Sequence, residues 1–409
     1  MNETTKEKIR SWLPLATALF AFVVFYVTTN GTQQHFDYTA RIAFALLHGH
    51  AGLQSAPPSW LNEMIPRDGR YYSAFPLGAV LSMMPVAILQ TVGVVRNFPG
   101  HFIAALIAAF SAYFFWQLSR LGAKSPPRQT LLALFPIFAT WTWCNVGFGG
   151  AWQLALGLSL LGEAGALYFI LVRRAPLVAG CFFALAFGNR TELILTGPIF
   201  LYLLSLPTLV SESGDPAKWL DRLRQSLPSF SRFLIAPAAL ALLTAAYNYA
   251  RFGSVFDFGY AHIPNVLQEP WYQHGLFSVH AIPWNIYKML FEGFGDLPVF
   301  PYIHPYAFGC SIFLASPFLF LLFREGGVYK SAAWAAIGIL TFVLWCHGNP
   351  GGWQFSYRYA VVLLPWMFLL ILGNGPAQLS VIEVLLFVVS VAINAVATYQ
   401  FLWTDQIHP

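Results

Sequence analysis

The chain has 409 residues, of which 57% are hydrophobic, 17% aromatic and only 10% charged. Soluble domains carry about 25% charged residues, so this chain has too few charges to hydrate the surface of a soluble protein, and its aromatic content excludes a disordered one. The net charge of +5 does not indicate nucleic-acid binding, because the apolar residues fall in blocks about as long as a bilayer is thick. The composition therefore predicts a polytopic membrane protein.

Twelve apolar segments follow one another along the chain. They are 12–29, 74–94, 102–118, 131–147, 152–172, 175–189, 192–210, 233–250, 306–323, 331–346, 359–373 and 381–403. The first segment follows three basic residues and lacks a small-residue cleavage site, so we expect a retained anchor with a cytoplasmic N-terminus.

The distribution of Lys and Arg tests which segments cross the membrane. If 74–94 does not cross, 14 of the 22 basic residues lie on the cytoplasmic side, as the positive-inside rule prefers. A chain with its N-terminus outside and all twelve segments crossing gives the same distribution, but the basic start favours the first arrangement, and Pro76 and Pro85 suit a broken helix. We therefore predict an all-α protein with about eleven transmembrane helices and with 74–94 as an in-plane or re-entrant helix in the outer leaflet.

Two long outer loops, 30–73 and 251–305, belong to a single membrane domain that covers 1–409. Both loops are rich in Trp, Tyr, His, Gly and Pro. Aromatic side chains of this kind stack on sugar rings while their polar edges bind hydroxyls, although aromatic belts at the membrane interface have a similar composition. The four cysteines lie in or beside apolar segments without paired spacing, which predicts packing residues.

Several arginines on the predicted outer side lie directly beside apolar segments of the chain. A single arginine there could simply extend its head group to the interface, but several from separate helices indicate an anionic ligand such as a phosphate, which Arg binds bidentately. The candidates are Arg70, Arg96, Arg190, Arg251 and Arg358.

Short stretches along nearly the whole chain carry a family resemblance. They are His35-Phe36-Asp37-Tyr38, Leu47-His48-Gly49, Asp68-Gly69-Arg70-Tyr71-Tyr72-Ser73-Ala74-Phe75-Pro76-Leu77-Gly78, Val95-Arg96-Asn97-Phe98-Pro99, Gly188-Asn189-Arg190-Thr191, Tyr247-Asn248-Tyr249-Ala250-Arg251-Phe252-Gly253 with Phe258-Gly259-Tyr260, and Ser356-Tyr357-Arg358-Tyr359. In this order they resemble the GT-C-fold membrane glycosyltransferases that use a polyprenyl-phosphate sugar as donor. This group includes the protein O-mannosyltransferases and the aminoarabinose transferases. The chain is similar to glycosyltransferase family 39 within it.

The resemblance implies that the acid after the first helix, Asp37, is the catalytic base. It also implies an in-plane helix after Pro76 and an active site outside a bacterial-type plasma membrane, where the sugar passes to a lipid, glycan or protein acceptor. The chain departs from the family pattern in having Phe36 where a second acid often stands and in ending soon after its last helix.

Asp68 competes with Asp37 for the role of base, although Arg67-Asp68-Gly69 reads more naturally as a tight turn. Further substrate contacts are expected from Tyr38, Tyr71, Tyr72, Glu192, Tyr260, His262 and Tyr359. No spacing of His and Cys is that of a metal site. No cofactor is implied, and the need for a divalent metal stays open.

Two other functions fit the same features: a transporter or flippase for a lipid-linked saccharide, and a lipid-linked oligosaccharide ligase. Transporters usually have internal repeats and ionisable sites near the membrane midplane, whereas the polar residues here gather at one leaflet. Glu163, deep in a predicted span, is either a proton-relay group or, more simply, a partner in a helix–helix hydrogen bond.

Overall fold

The computed structural model describes residues 3–29, 36–210 and 219–407. Within these ranges the protein is predominantly helical, with two small antiparallel hairpins, β1 (Ile65–Arg67) with β2 (Arg70–Tyr72) and β3 (Phe294–Asp296) with β4 (Ile303–Pro305). The helices in chain order are α1 (Glu3–Thr29), α2 (Tyr38–Leu47), α3 (Leu77–Leu81), α4 (Met84–Thr91), α5 (Gly100–Ser119), α6 (Pro126–Phe138), α7 (Thr142–Gly147), α8 (Ala151–Leu171), α9 (Pro176–Asn189), α10 (Gly197–Val210), α11 (Trp219–Phe252), α12 (Ile282–Ile286), α13 (Ile312–Ala315), α14 (Lys330–Cys346), α15 (Leu364–Asn374) and α16 (Val381–Trp403). The 3₁₀ segments Thr191–Thr196 and Arg358–Leu363 lead into α10 and α15.

Five helices in the described part of the chain are long and apolar enough to cross a membrane: α1, α5, α8, α11 and α16. A helix of about 20 residues is roughly 30 Å long, which is the thickness of the hydrocarbon core. Helix α8 is buried along almost its whole length and lies at the centre of the bundle. By contrast, α11 and α16 expose apolar side chains such as Leu242, Leu243 and Leu385, as helices facing lipid do. The chain is thus a helical membrane-embedded protein.

Several other predicted spans are shorter or interrupted. Segment 131–147 is divided between α6 and α7, and 306–323 contains only the short α13 and a 3₁₀ turn. Prolines explain part of this difference, because Pro136 lies inside α6 and Pro317 begins the 3₁₀ turn after α13, and a proline cannot donate the backbone hydrogen bond that continues a helix. Among the described residues, five helices are long and apolar enough to cross a membrane by themselves, where about eleven transmembrane helices were predicted.

Segment 74–94 forms two short helices, α3 and α4, separated at Ser82 and Met83. Neither is long enough to cross a bilayer. Helix α3 packs on the end of α9 through a contact between two glycines, Gly78 and Gly188. A Cβ on Gly78 would lie only 2.4 Å from the Cα of Gly188. Asn189 adds a hydrogen bond of 3.0 Å to the hydroxyl of Ser82. The pair is therefore held directly beside the turn that follows α9.

Buried polar contacts tie distant helices together. Arg128 in α6 and Glu383 in α16 are both fully buried and form an ion pair with an N–O distance of 2.9 Å. Glu163 in α8 accepts a hydrogen bond of 2.7 Å from the indole of Trp366 in α15. The structure thus agrees with the simpler interpretation of Glu163, a helix–helix hydrogen bond.

The two ends of the bundle can be distinguished by their contacts. The indole of Trp403, at the end of α16, donates to the carbonyl of Thr28, at the end of α1, and the amide of Ala151 donates to the carbonyl of Phe36. We call the end that carries these contacts the cleft end. The other end, which carries Arg128, is called the opposite end.

Candidate functional site

Two adjoining cavities open among the loops at the cleft end. The larger has a volume of about 390 Å³ and the smaller about 160 Å³, and Trp152, Tyr260 and Tyr359 line both. Trp152 lies in the first turn of α8, Tyr260 in the loop after α11, and Tyr359 in the 3₁₀ segment before α15. We call the two cavities together the cleft. Three regions that are far apart in sequence therefore form its walls.

Two of the five predicted phosphate-binding arginines meet in this cleft. The guanidinium carbon of Arg190 lies 4.8 Å from the centre of the Tyr359 ring, and that of Arg358 lies 5.2 Å from the same ring. Arg190 lines the larger cavity and Arg358 the smaller. Cation–π contact offsets part of the cost of holding two like charges near each other. The walls of the cleft therefore carry two cations, together with the carboxylates of Glu192, Asp257, Glu63 and Glu269.

The two arginines differ in how they are paired. Arg190 forms an ion pair of 2.7 Å with Glu192, two residues along the same turn, as expected for a carboxylate that orients it. Arg358 is largely buried, and the hydrogen bonds of its guanidinium group within the described residues are long, at 3.5 Å to the carbonyl of Trp353 and 3.4 Å to the hydroxyl of Tyr359. Its Nε atom has no hydrogen-bond partner in the described structure. Arg358 therefore has donor capacity left for a ligand.

Glu63 and Glu269 both line the smaller cavity, which Arg358 also lines. Glu63 accepts a hydrogen bond from the indole N–H of Trp152. Burial raises the pKa of Glu63, although the bond from Trp152 and the charge of Arg358 act in the opposite direction. Sequence reasoning placed Glu63 and Glu269 on the outer side but did not assign them to the site. No local pattern marks them, because only the fold brings them to Arg358.

Tyr260 and His347 form an aromatic wall of the larger cavity. The hydroxyls of Tyr260 and Tyr272 are hydrogen-bonded at 3.0 Å, and the ring of His347 packs edge-on against Tyr359 at 5.5 Å. Burial lowers the pKa of His347, despite a hydrogen bond to the carbonyl of Asn349 that acts against this shift. His347 was not predicted to belong to the site, whereas Tyr260 and Tyr359 were.

Asp37 lies at the N-terminus of α2 and does not line either cavity. Its carboxylate forms an ion pair of 2.7 Å with Arg41, one helical turn along α2. The adjacent Tyr38 is buried, and its hydroxyl donates a 3.3 Å hydrogen bond to Asn62, which does line the smaller cavity. Asp37 is therefore near the cleft through Tyr38 and Asn62 but is not in its wall.

Asp68 and Arg70 lie on the exposed hairpin β1–β2. The carboxylate of Asp68 is 85% exposed, and the φ values of +50° at Asp68 and +72° at Gly69 are those of a two-residue type I′ turn. Neither Asp68 nor Arg70 lines the cleft. The turn interpretation of Asp68 therefore agrees with the structure, and its role as a competing base has no geometric support.

Two other predicted phosphate ligands also lie outside the cleft wall. Arg96 is exposed in the loop before α5. Arg251 is buried at the end of α11, where it donates to the carbonyl of Ser73 at 2.5 Å and to the side chain of Asn248 at 2.8 Å. Its Nε atom has no partner in the described structure, as for Arg358, but Arg251 lines neither cavity. Arg251 therefore connects α11 to the segment before α3.

Three other predicted contacts, Tyr71, Tyr72 and His262, do not line the cleft. Tyr72 is buried against the ring of Phe252, and Tyr71 pairs through its backbone with Leu53. His262 forms a contact of 2.7 Å with the carboxylate of Asp257, which lines the larger cavity. Burial acts to raise the pKa of Asp257, but the bonds from His262 and the Gly259 amide outweigh it and hold the pKa below its usual value.

Among the described residues, no group of three or more His, Cys, Asp or Glu side chains is arranged to hold a metal ion. The four cysteines are free thiols. The cleft therefore offers arginines, carboxylates and aromatic rings as its means of binding and chemistry.

Fold and site together define a helical membrane protein with an arginine-lined, aromatic cleft at one end of its bundle. Comparison with known proteins gives no match to a family model, to a curated protein or to a solved structure. The assignment of a function therefore depends on the residues of the cleft.

Proposed function

We propose that this protein is an integral membrane glycosyltransferase of the GT-C type, which transfers a sugar from a polyprenyl-phosphate donor to an acceptor on the extracytoplasmic side. The observation that carries the proposal is the placement of Arg190 and Arg358 on the two sides of the cleft against one ring, Tyr359. In such a reaction the two cations bind the phosphate of the donor, a carboxylate takes the proton of the acceptor, and the aromatic walls bind the sugar.

The arginines bind the phosphate of the donor. When the bond between the sugar and the phosphate breaks, negative charge develops on the leaving phosphate, and preorganised cations stabilise it. Arg190 is held in place by Glu192, whereas Arg358 has an unpartnered Nε–H. Arg190 therefore supplies a fixed positive charge, and Arg358 supplies a free hydrogen-bond donor.

The sugar binds between aromatic side chains. Trp152, Tyr260 and Tyr359 line both cavities, so a ligand that passes from one cavity to the other contacts all three. Their apolar faces pack on the sugar ring and their polar edges bind hydroxyls. Glu63 and Glu269, in the smaller cavity, add acceptors for sugar or acceptor hydroxyl groups.

Transfer requires a carboxylate that takes the proton of the acceptor hydroxyl. The acceptor oxygen forms a bond to the anomeric carbon, the bond from that carbon to the phosphate oxygen breaks, and the electron pair leaves on the polyprenyl phosphate. Two carboxylates are candidates for the base. Asp37 is the acid implied by the family resemblance, and Glu63 is the acid in the cleft wall beside Arg358.

We also infer that the chain crosses the membrane eleven times, with α3 and α4 in the outer leaflet. At the cleft end, Gly147 at the end of α7 packs on Thr29 at the end of α1, so α6 and α7 together form one crossing. Asn189 at the end of α9 and Arg251 at the end of α11 also lie there, next to Ser82 and Ser73.

Contacts at the opposite end support the same count. The amide of Asn374, at the end of α15, donates to the carbonyls of Leu321 and Arg324, so the interrupted segment 306–323 reaches that end and acts as one crossing. The ion pair of Arg128 and Glu383 places the starts of α6 and α16 there too. Since Arg120, Lys124, Arg173 and Arg174 follow α5 and α8 at this end, the positive-inside rule makes it cytoplasmic.

The test compares envelope glycans of cells without the protein, with the native chain, and with the double variant Arg190→Gln/Arg358→Gln. The control is Arg67→Gln, which removes a cation from the exposed hairpin at the same end. We expect a sugar that is missing without the protein to return with the native chain and the control but not with the double variant. Identical glycans in all four strains would contradict the proposal, and an undecorated, untranslocated lipid-linked saccharide would favour a flippase.

A further inference from the structure

Another cavity opens at the cleft end, beside the larger cavity of the cleft. Its volume is about 360 Å³, which is within the range of small-molecule sites, roughly 300–1,000 Å³. Among the described residues that line it, none is a lysine, arginine, aspartate or glutamate. Its wall instead holds two indoles, two imidazoles, an amide and a hydroxyl, from Trp271, Trp284, His274, His280, Gln273 and Ser278. We call it the aromatic cavity, and its wall is polar without a permanent charge.

The aromatic cavity adjoins the cleft along a pair of extended backbone segments. Phe277 and His347 face each other across this antiparallel pair, and both line the larger cavity of the cleft. The residues that follow them in the chain, Ser278 and Gly348, line the aromatic cavity. A ligand longer than one sugar ring could therefore occupy the aromatic cavity and the cleft together.

The wall of the aromatic cavity is anchored on the end of α14. The amide of Ser278 donates to the carbonyl of Cys346, the last residue of α14, at 2.7 Å. The fully buried side chain of Asn285 in α12 donates to the carbonyl of Trp345 at 3.0 Å. The main chain of the preceding residue, Trp284, is thereby fixed relative to α14. A wall that is already in place lowers the ordering cost of binding a ligand.

Two tryptophans present large, partly exposed faces. The rings of Trp271 and Trp284 are nearly parallel, with an angle of 24° between their planes and 6.4 Å between their centres. They are 45% and 43% exposed. Lys288 contacts the Trp284 ring, but it is mostly buried and paired with Glu292. The two indoles therefore offer apolar surface on which the C–H face of a sugar ring packs.

Two histidines and a glutamine add hydrogen-bonding groups. The rings of His274 and His280 stack at 4.3 Å, and Nδ1 of His280 lies 3.1 Å from the hydroxyl of Ser278. The Nε2 atom of His280 and the side-chain amide of Gln273 have no hydrogen-bond partner among the described residues. Imidazole and amide groups both donate and accept, and sugar hydroxyls do the same.

We propose that the aromatic cavity binds a neutral sugar ring of the acceptor, so that the acceptor is a glycan that extends from the reacting hydroxyl in the cleft into this cavity. The inference rests on the glycosyltransferase proposed for the cleft and names its acceptor class. Aromatic faces together with unpaired imidazole and amide groups match the C–H faces and hydroxyls of a sugar. A phosphate or an ionised side chain would leave water for a wall that offers no permanent counter-charge, which is unfavourable.

The test measures the binding of neutral oligosaccharides to the purified full-length protein by isothermal titration calorimetry. The probe is the neutral oligosaccharide fraction released from the envelope of cells that lack the protein, separated by size, because an undecorated acceptor accumulates there. We expect Trp271→Ala/Trp284→Ala to weaken binding at least about 10-fold, since it removes the packing surface for the sugar. The matched control is Trp60→Ala. Trp60 is 41% exposed and lines neither the aromatic cavity nor the cleft, so this variant should bind as the native chain does.

A second variant, His274→Ala/His280→Ala, removes two exposed imidazoles and leaves the indoles in place. It should weaken binding by about 3- to 10-fold, as expected for the loss of hydrogen bonds to the ligand, and it decides the question if the tryptophan variant does not fold. No binding to the native chain, or unchanged affinity in both double variants, would overturn the proposal. Trp271 and Trp284 would then be anchors at the membrane interface.

Transfer kinetics distinguish a failure of this inference from a failure of the proposed function. Both double variants should raise KM for the acceptor and leave KM for the donor unchanged, whereas Arg190→Gln/Arg358→Gln should still bind the oligosaccharides. Binding without any sugar transfer by the native chain would contradict the glycosyltransferase and, with it, the acceptor role of this cavity. Transfer by the native chain with an unchanged acceptor KM in both double variants would reject the aromatic cavity alone.

Discussion

Trp152 donates its indole N–H to the carboxylate of Glu63, and this hydrogen bond joins the first turn of α8 to the loop before β1. A residue of the central helix thereby holds an acid against the cleft that also contains Arg358. The bond stabilises the ionised form of the carboxylate, whereas burial disfavours it. The balance of these two effects determines the pH range in which Glu63 can accept a proton.

The first prediction concerns the pH dependence of transfer. If Glu63 is the base, the rate falls as the pH drops through its raised pKa. Trp152→Phe removes a contact that lowers this pKa, so the acid limb of the pH–rate profile should move to higher pH. A limb that does not move in Trp152→Phe would exclude Glu63 as the titrating base and leave Asp37 in that role.

A stability measurement separates this effect from a structural one. A carboxyl whose pKa is raised on folding stabilises the protein most below its unfolded pKa, and this contribution is lost as the pH rises through the folded value. The glutamine of Glu63→Gln cannot ionise. The melting temperature of the variant minus that of the native chain should therefore be more positive at pH 8 than at pH 4. The same difference at both pH values would show that Glu63 does not have a raised pKa.

The second prediction concerns the arginines of the cleft. Arg190→Gln and Arg358→Gln should each lower kcat/KM for the donor by about 10²-fold or more, because each removes a cation that stabilises charge on the leaving phosphate. Arg358→Lys should recover little of the activity lost in Arg358→Gln, since an ammonium group cannot reproduce the planar, two-pronged set of donors of a guanidinium. The measurement is transfer kinetics with Arg67→Gln as control. Full activity in both glutamine variants would show that the donor phosphate does not bind in this cleft.

The third prediction separates the two aspartates of the first loop, Asp68 and Asp37. Asp68 is exposed at the tip of its hairpin, so Asp68→Asn should change the free energy of unfolding by less than about 0.5 kcal/mol and leave transfer unchanged. Asparagine also tolerates the positive φ of this position. Asp37→Asn should abolish transfer but retain donor binding if Asp37 is the base. Both variants are assayed for donor binding and turnover, and an inactive Asp68→Asn with native stability would contradict this prediction.

The fourth prediction concerns stereochemistry. Direct attack by an acceptor that one carboxylate has deprotonated inverts the anomeric centre, because the acceptor enters opposite the leaving phosphate. NMR of the product against the donor measures the configuration. Retention would require a covalent intermediate on a second carboxylate and would contradict the single-displacement mechanism.

The fifth prediction concerns the buried ion pair at the opposite end. Arg128→Met leaves Glu383 buried without its main partner and should destabilise the protein by about 3–5 kcal/mol, measured by thermal unfolding in detergent. Replacing both residues, Arg128→Met with Glu383→Leu, should restore most of the loss. The restoration is incomplete because Glu383 also caps α16 together with Ser380. A double variant no more stable than Arg128→Met would contradict the prediction, because it would show that the unpaired Glu383 is not the source of the loss.

Sequence reasoning predicted the class of the protein because composition and the length of apolar blocks are properties of the chain alone. A charged fraction of 10% excludes a hydrated surface whatever the fold. The tight turn at Asp68 was also readable from sequence, since an Asp-Gly pair provides the two positive φ values that the hairpin needs.

The composition of the cleft was decided only by the tertiary structure. Arg190, Arg251 and Arg358 look alike in sequence, because each lies directly beside an apolar segment. In the structure, Arg251 donates to Ser73 and Asn248 and lines neither cavity, whereas Arg190 and Arg358 meet on Tyr359. Glu63 has no local motif, and only the packing of the first loop on α8 brings it to Trp152. The sequence by itself determined that the chain enters a membrane and that several of its arginines lie beside apolar segments. Which of them face one another depends on how helices distant in sequence pack, and no local pattern encodes that.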